Sequence, residues 1–372
     1  MERLIMRGDL LNVAFQFNSL VIQPTTLCNL NCSYCYLPDR SSNNVISSDI
    51  VNKIASDLNK IEFKRTLNII WHSGEPLTCG VEAFEKCLQP FEPLRMERKI
   101  RHSIQTNATL IDKAWCDLFL RYDIALGVSI DGPQTLNINR IDWRGQEANS
   151  KIIKGITTLK ENNVSFGVIC VVGVESVHKA KELFDYFCNL GCESVGFSIV
   201  EEEGVNKQGL LTFDQNTNVF WSDLLNAWYE NPVIGIREFR RAIVWLESET
   251  NNKQSQSVVK DILPSIGYNG DIVLVSPEFL GMKSNSKYQT FVVGNIKNSS
   301  LLSIIERGLR SPYIQDFVSG MAKCKEECSY FGFCRGGDAS NKFFETGDLN
   351  VTKTNYCVNT KMNLVNAVIE KL

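Results

Sequence analysis

The chain has 372 residues, 44% of them hydrophobic, and a formal charge of −3, so it can bury one large core or two smaller ones and is not disordered. That balance, with a pI near 5.8, lacks the clustered Lys and Arg that duplex nucleic acid or an anionic membrane would need. Residues 4–17 are mildly apolar, but Arg7, Asp9, Asn12 and Gln16 interrupt them before a secretory signal could form, and no window approaches a membrane span. A cytoplasmic protein with reduced thiols is expected.

Residues 1–20 read as a lead-in too short for an independent fold. From 20 to 200, short apolar runs alternate with amphipathic stretches, which predicts six βα units and a parallel sheet. Strands are expected at 20–23, 67–71, 100–105, 124–130, 165–172 and 194–199. Ile50, Val51, Ile54, Leu58 and Ile61 recur at helical spacing after Ser47 and Ser48, and Leu183, Phe184, Phe187 and Leu190 do so later. Six units are fewer than a closed eight-stranded barrel needs, so 21–200 should form an open, partial barrel with its ligand site at the strand C-termini. Residues 201–265 read as a helical bridge, with apolar stripes at Trp221, Leu224, Leu225 and Trp228 and at Phe239, Ile243 and Leu246. Short strands and Gly-rich turns around Asn269-Gly270 and Val293-Gly294 then predict a smaller second domain over 266–372.

Thirteen cysteines suit a disulfide framework poorly, because the count is odd and the expected compartment is reducing. Three crowd into 28–35, four lie in 324–357, and none falls between Cys192 and Cys324. Cys28, Cys32 and Cys35 stand as C-x3-C-x2-C just after the first expected strand. Three thiolates on one loop can hold three irons of a 4Fe-4S cube and leave the fourth iron open for chemistry. A zinc site, which usually takes a fourth local ligand, and buried structural cysteines are the alternatives.

This spacing, with the aromatic Tyr34 before the third cysteine, resembles the signature of the radical S-adenosylmethionine (SAM) superfamily. The resemblance implies that SAM chelates the open iron and that Tyr34 packs on its adenine. It extends along the expected barrel. Ser73-Gly74-Glu75-Pro76 resembles the family's Gly-Gly-Glu-Pro with a small serine in first place, Gln105-Thr106-Asn107 ends the third strand, and Ser129-Ile130-Asp131-Gly132-Pro133 ends the fourth, with Arg140 beyond. Singly, each is also ordinary turn chemistry. In order, they imply SAM contacts from Ser73, Gly74, Glu75, Asn107, Ser129 and Arg140, with Glu75 accepting from the SAM ammonium. The family's reaction reduces the SAM sulfonium by one electron to methionine and a 5'-deoxyadenosyl radical, which takes a hydrogen atom from substrate. Such chemistry calls for a walled, dry cavity.

Cys324, Cys328, Cys334 and Cys357 read C-x3-C-x5-C-x22-C, enough to close a cluster with no open iron, and a structural zinc site is the alternative. This ending resembles the SPASM domain of peptide-modifying radical SAM enzymes. It departs in its x3 spacing and lacks the further cysteines that build an inner auxiliary cluster. The implied whole is an α/β protein, a partial (β/α)6 radical SAM barrel with a smaller C-terminal SPASM-like iron-sulfur domain, holding SAM and two 4Fe-4S clusters. Cys79, Cys87, Cys116, Cys170, Cys188 and Cys192 read as core, and His72 could face the cavity.

Cys-Ser-Tyr-Phe-Gly-Phe-Cys-Arg-Gly-Gly, Asn341-Lys342, Thr354-x2-Cys357 and Cys-Tyr-Leu-Pro-Asp-Arg at 35–40 look like the cyclophane-forming maturases, whose relatives make ether links. The resemblance implies a precursor-peptide substrate, side-chain crosslinking as the reaction, and a reductant such as flavodoxin or ferredoxin. Crosslinking removes two electrons; the adenosyl radical takes one with its hydrogen atom, and a second cluster is a suitable acceptor for the other. Asp271 and Glu278, with Asp338 and Glu345, are candidate bases for the aromatic proton. The leader of the peptide would add as a strand to a sheet edge or use a separate protein. A sulfatase-maturase-type oxidation of Cys or Ser to formylglycine and a non-catalytic iron-sulfur carrier or sensor are the alternatives.

Overall fold

The structure, a computed structural model, describes residues 4–8, 11–206, 215–250, 258–282 and 287–371. Strands β1 (Leu4–Gly8) and β2 (Leu11–Gln16) form an antiparallel hairpin. Six strands then lie parallel in chain order: β3 (Ser19–Ile22), β4 (Leu67–Trp71), β5 (Ile100–Thr106), β6 (Ala125–Ser129), β7 (Gly167–Val172) and β8 (Ser194–Ile199). Each agrees with its expected range to within two residues.

The crossovers carry α1 (Ser48–Leu58), α2 (Val81–Leu88), α3 (Glu92–Met96), α4 (Lys113–Arg121), α5 (Asn149–Glu161) and α6 (Ala180–Leu190). Local chemistry sets their ends. The Ser47 hydroxyl accepts from the Ile50 amide to start α1, Asp112 accepts from Trp115 to start α4, and Gly191, at φ +78°, stops α6 in the left-handed region. Helix α1 buries Ile50, Val51, Ile54, Ala55 and Leu58, and each of its Ile or Leu side chains is worth about 1.5–3 kcal/mol. In β7, buried and half-buried positions alternate, so Val168, Cys170 and Val172 face the helices while Ile169 and Val171 face the barrel lumen.

Beyond β8 come α7 (Gln215–Glu230), β9 (Gly235–Ile236), α8 (Arg237–Thr250) and β10 (Val258–Asp261). The helical bridge expected over 201–265 thus contains two short strands, and its stretches 207–214 and 251–257 lie outside the described residues. Strand β10 pairs in parallel with β2, giving a three-stranded sheet that takes in most of the expected lead-in. The hairpin's partner lies about 240 residues away, out of reach of any local pattern.

Strands β11 (Ser265–Ile266), β12 (Asp271–Val273) and β13 (Gly294–Asn295) extend the parallel sheet rather than starting a sheet of their own, because β11 pairs in parallel with β3. Among the described residues this makes one ten-stranded sheet, ordered β13-β12-β11-β3-β4-β5-β6-β7-β8-β9. The rest is helical: α9 (Leu301–Gly308), α10 (Pro312–Glu327), α11 (Phe331–Cys334), α12 (Ala339–Thr346), a π-helical turn (Cys357–Met362) and α13 (Asn363–Lys371). No helix of the described residues is long and apolar enough to cross a membrane.

Candidate active site

Loops at the C-terminal ends of β3 to β8 converge on a cavity of about 370 Å³. Its walls include Cys28, Cys32 and Cys35, and with them Tyr34, Gly74, Glu75, Asn107, Ser129 and Arg140. The cysteine loop is fastened at both flanks: the Cys28 amide donates to the Arg40 carbonyl at 2.8 Å and the Ser33 amide to Asn139 at 3.0 Å.

The Ser73-Gly74 turn explains its sequence. Both residues have left-handed φ, +77° and +73°, and a Cβ on Gly74 would lie 2.5 Å from the Thr25 carbonyl and 2.8 Å from that of Leu27. Ser73 is fully buried behind the wall, outside the lining. Glu75 joins the loops after β4 and β5, accepting from Thr106 Oγ1 and the Asn107 amide, both at 2.7 Å, and from the Leu77 amide at 3.1 Å. Burial nevertheless pushes its pKa up to about 7.

Asp131 accepts from Arg140 at 2.8 Å, from the Val171 amide at 2.9 Å and from the Tyr34 hydroxyl at 2.5 Å. It therefore sets Tyr34 and Arg140 against β7, with the Arg140 guanidinium 5.6 Å from the Tyr34 ring centre. Arg140 Nε is buried without a partner among the described residues. An orphaned guanidinium N–H on a cavity wall beside three thiols suits a carboxylate-bearing ligand. His72 lines the same cavity; burial lowers its pKa to about 4, and its Nε2 lies 3.0 Å from the Tyr36 hydroxyl.

Cys324, Cys328, Cys334 and Cys357 line a second cavity of about 340 Å³. The Cys-Arg-Gly-Gly run follows from the backbone here: Arg335, Gly336 and Gly337 have φ of +51°, +89° and +76° in succession. Lys342, almost wholly buried, aims Nζ at Cys324 Sγ from 3.8 Å, and Thr354 Oγ1 donates to Cys357 Sγ at 3.2 Å. A buried ammonium needs an anion, and a thiolate supplies one. The all-sulfur donor sets and their cationic and hydroxyl partners fit iron-sulfur clusters at both places.

A third cavity, about 490 Å³, lies between the two, sharing Glu201, Glu203 and Glu278 with the first and Cys334 with the second. Of the expected bases, Glu278 is here, accepting from Ser276, and burial raises its pKa. Asp271 is not: it faces Asn269 and Asn295 at the β12 edge and lines none of these cavities. Asp338 lines the middle cavity, but Lys361 and Lys260 overcome the effect of burial and hold it at about 2. Glu345 is taken up by the Asn355 and Tyr356 amides. Sequence reasoning missed Glu201 and Glu203, whose pKa values burial raises well above the usual range. Their signal was available: Glu201-Glu202-Glu203 directly follows an apolar strand of the parallel sheet, at the end where ligands gather.

Residues 22–192 match the Radical SAM superfamily, the segment that carries the three-cysteine loop and every strand-end motif above. The chain belongs to the radical SAM superfamily. That family binds a 4Fe-4S cluster and SAM. The radical SAM chain is 34% identical to an uncharacterized protein, sll1766, of Synechocystis, over 91% of this chain and 88% of that one. It is 27% identical to a cysteine-type anaerobic sulfatase-maturating enzyme of Clostridium perfringens, over 86% of this chain and 88% of that one. In fold it is similar to native anSMEcpe with bound AdoMet and Cp18Cys peptide, with a TM-score of 0.75, 22% identity and coverage of 95% of this chain and 97% of that one.

Proposed function

We propose that this radical SAM enzyme crosslinks side chains of a ribosomally made precursor peptide, joining an aromatic ring to a neighbouring side-chain carbon or through an ether. The observation that carries the reading is three neighbouring cavities that share wall residues, the first with three thiols, the middle with carboxylates that include Glu201, Glu203, Glu278 and Asp338, and the last with four thiols. Cys28, Cys32 and Cys35 would hold the catalytic 4Fe-4S cluster, with Tyr34, Gly74, Glu75, Asn107, Ser129 and Arg140 around SAM, and Cys324, Cys328, Cys334 and Cys357 the auxiliary one. When bound, cluster and SAM together supply a one-electron cleavage that removes a hydrogen atom from substrate.

The chain's own residues do the rest. Leu30, Ile169, Val171, Ile199 and Val200 give the first cavity apolar walls that exclude water from a reactive centre. Arg140 and Glu75 orient charged groups of SAM, Arg140 through its free Nε. Glu278, at the junction of the first and middle cavities, takes the proton that the ring releases as the bond forms. Incubating the anaerobically reconstituted protein with SAM, a flavodoxin or ferredoxin reductant and a peptide encoded beside it should give a product lighter by two hydrogens. Unchanged peptide mass despite SAM cleavage would refute crosslinking.

The 27% identity to a sulfatase-maturating enzyme favours a second reading, oxidation of Cys or Ser to formylglycine. The cysteine-free stretch 193–323, which leaves no ligands for an inner cluster, argues for crosslinking. A hydrazide-reactive aldehyde in a sulfatase-derived peptide would decide for the second.

A further inference from the structure

The segment around Arg140 runs back over the cysteine loop and presents an aromatic side chain to solvent. The Asn31 amide donates to the Ile141 carbonyl at 2.7 Å, and Leu30 forms an antiparallel bridge with Asp142. Trp143 comes next. It is 47% exposed, yet its indole N–H donates to the carbonyl of Cys28 at 2.8 Å. Single exposed aromatics are ordinary on protein surfaces. This one is fastened by its polar end to the backbone of a residue whose thiol lines the reaction cavity.

Its surroundings suit a docked macromolecule. The Arg40 guanidinium lies 5.9 Å from the indole centre and rests on the Asn31 side-chain oxygen and the Leu37 carbonyl rather than on a carboxylate. Arg144 follows Trp143 directly. Two of the neighbouring carboxylates have other partners: Asp142 accepts from the Arg144 and Gln146 amides and pairs with Lys151, and Glu147 accepts from Gln134. Two more exposed apolar residues sit on segments tied to the same loop. Ile138, 46% exposed, precedes Asn139, the partner of Ser33, and Leu110, 38% exposed, follows Thr109, the partner of Asn29. An exposed aromatic beside two arginines has the composition of an interface centre.

We propose that Trp143, with Arg40 and Arg144, is the docking point through which an acidic one-electron carrier protein reduces the cluster held by Cys28, Cys32 and Cys35. The proposal rests on the cluster-ligand reading of those thiols. Electron transfer falls steeply with distance, and Trp143 joins the protein surface to the Cys28 peptide by one hydrogen bond. One electron leaves the reduced carrier and one arrives at the cluster; no bond breaks and no proton moves. The arginines complement a carrier whose redox group is ringed by carboxylates, so association should weaken with salt.

The test uses the anaerobically reconstituted full chain, with flavodoxin hydroquinone in one arm and dithionite in the other. Cluster reduction is followed by stopped-flow absorbance and carrier affinity by surface plasmon resonance. Trp143→Ala and Arg144→Glu should each weaken carrier binding and slow reduction by flavodoxin about tenfold, with iron content and the dithionite rate unchanged. Trp143→Phe, which keeps a ring but loses the N–H, should fall between. Wild-type binding and rates with flavodoxin in both variants would overturn the proposal, as would slowing with dithionite too, which would place the effect on the cluster itself. Wild-type protein that assembles no reducible cluster at these thiols would instead overturn the cluster reading beneath it.

Discussion

Gly74→Ala should weaken SAM binding through a backbone collision that can be separated from ordinary backbone strain. A non-glycine residue in the left-handed region costs about 1–2 kcal/mol, and the stiffer unfolded chain returns about 0.4–1 of that. Gly347 measures this alone: its φ is +75°, ψ is +3°, and a Cβ there meets nothing within 4 Å. Gly347→Ala should therefore cost about 1 kcal/mol. At Gly74 the new Cβ also meets the Thr25 and Leu27 carbonyls at 2.5 and 2.8 Å, and backbone cannot swing aside as a side chain can. Overpacking of this kind adds about 1–3 kcal/mol, for a total of roughly 2–4. For a chain of this length, 1 kcal/mol moves the melting temperature by about 1–2 °C. Calorimetry should show Gly74→Ala melting several degrees below wild type and Gly347→Ala only one or two. Equilibrium dialysis should show SAM binding at least about tenfold weaker in the first and unchanged in the second, since the collision displaces the turn on which Glu75 stands. Equal melting and equal SAM affinity in the two variants would refute the steric argument.

Asp131→Asn leaves the buried Arg140 cation without its counter-ion and should cost about 3–5 kcal/mol by chemical denaturation, with much of the loss recovered when Arg140→Met is added. Glu203 is expected to destabilise the fold increasingly as pH rises: burial raises its folded pKa, so the folded chain holds a proton that the unfolded chain releases above about pH 4.3. Glu203→Gln should thus melt above wild type at pH 8, with the advantage gone at pH 4. Cys328→Ser should roughly halve the iron and sulfide bound per chain while SAM affinity persists, as measured by iron assay and dialysis. Glu278→Gln should slow crosslink formation about 10²–10⁴-fold in a peptide mass assay, whereas Asp271→Asn should not.

The barrel was legible because its signals are local. Each parallel strand is a short apolar run, α1 and α6 repeat apolar residues at helical spacing, and Cys28, Gly74, Asn107 and Ser129 lie at strand ends or a few residues past them, where chain order alone foretells convergence. Cys324, Cys328, Cys334 and Cys357 were legible as a set because four thiols within 34 residues have few other uses. The β2–β10 pairing was not, nor was the joining of β11 to β3. Both match strands of two to six residues separated by some 240 positions, and nothing in a two-residue strand such as Ser265-Ile266 announces its partner.

That second pairing decides which acids can act on a substrate. Registering Ser265 on Val21 and Ile266 on Ile22 fixes β11 beside the strand that leads into the cysteine loop. Strand β12 turns back antiparallel and pairs on its other side with β13, so Asp271, its first residue, is held beside Asn295, whereas the chain that leaves β12 at the opposite end runs on to Glu278, which lines the cavity. Seven positions separate the two acids in sequence, and both looked equally suited to proton transfer. Their different surroundings come from one hydrogen-bonded register. A substitution that slips β11 against β3, such as Ser265→Pro, would displace Glu278 from the cavity without touching any residue that lines it.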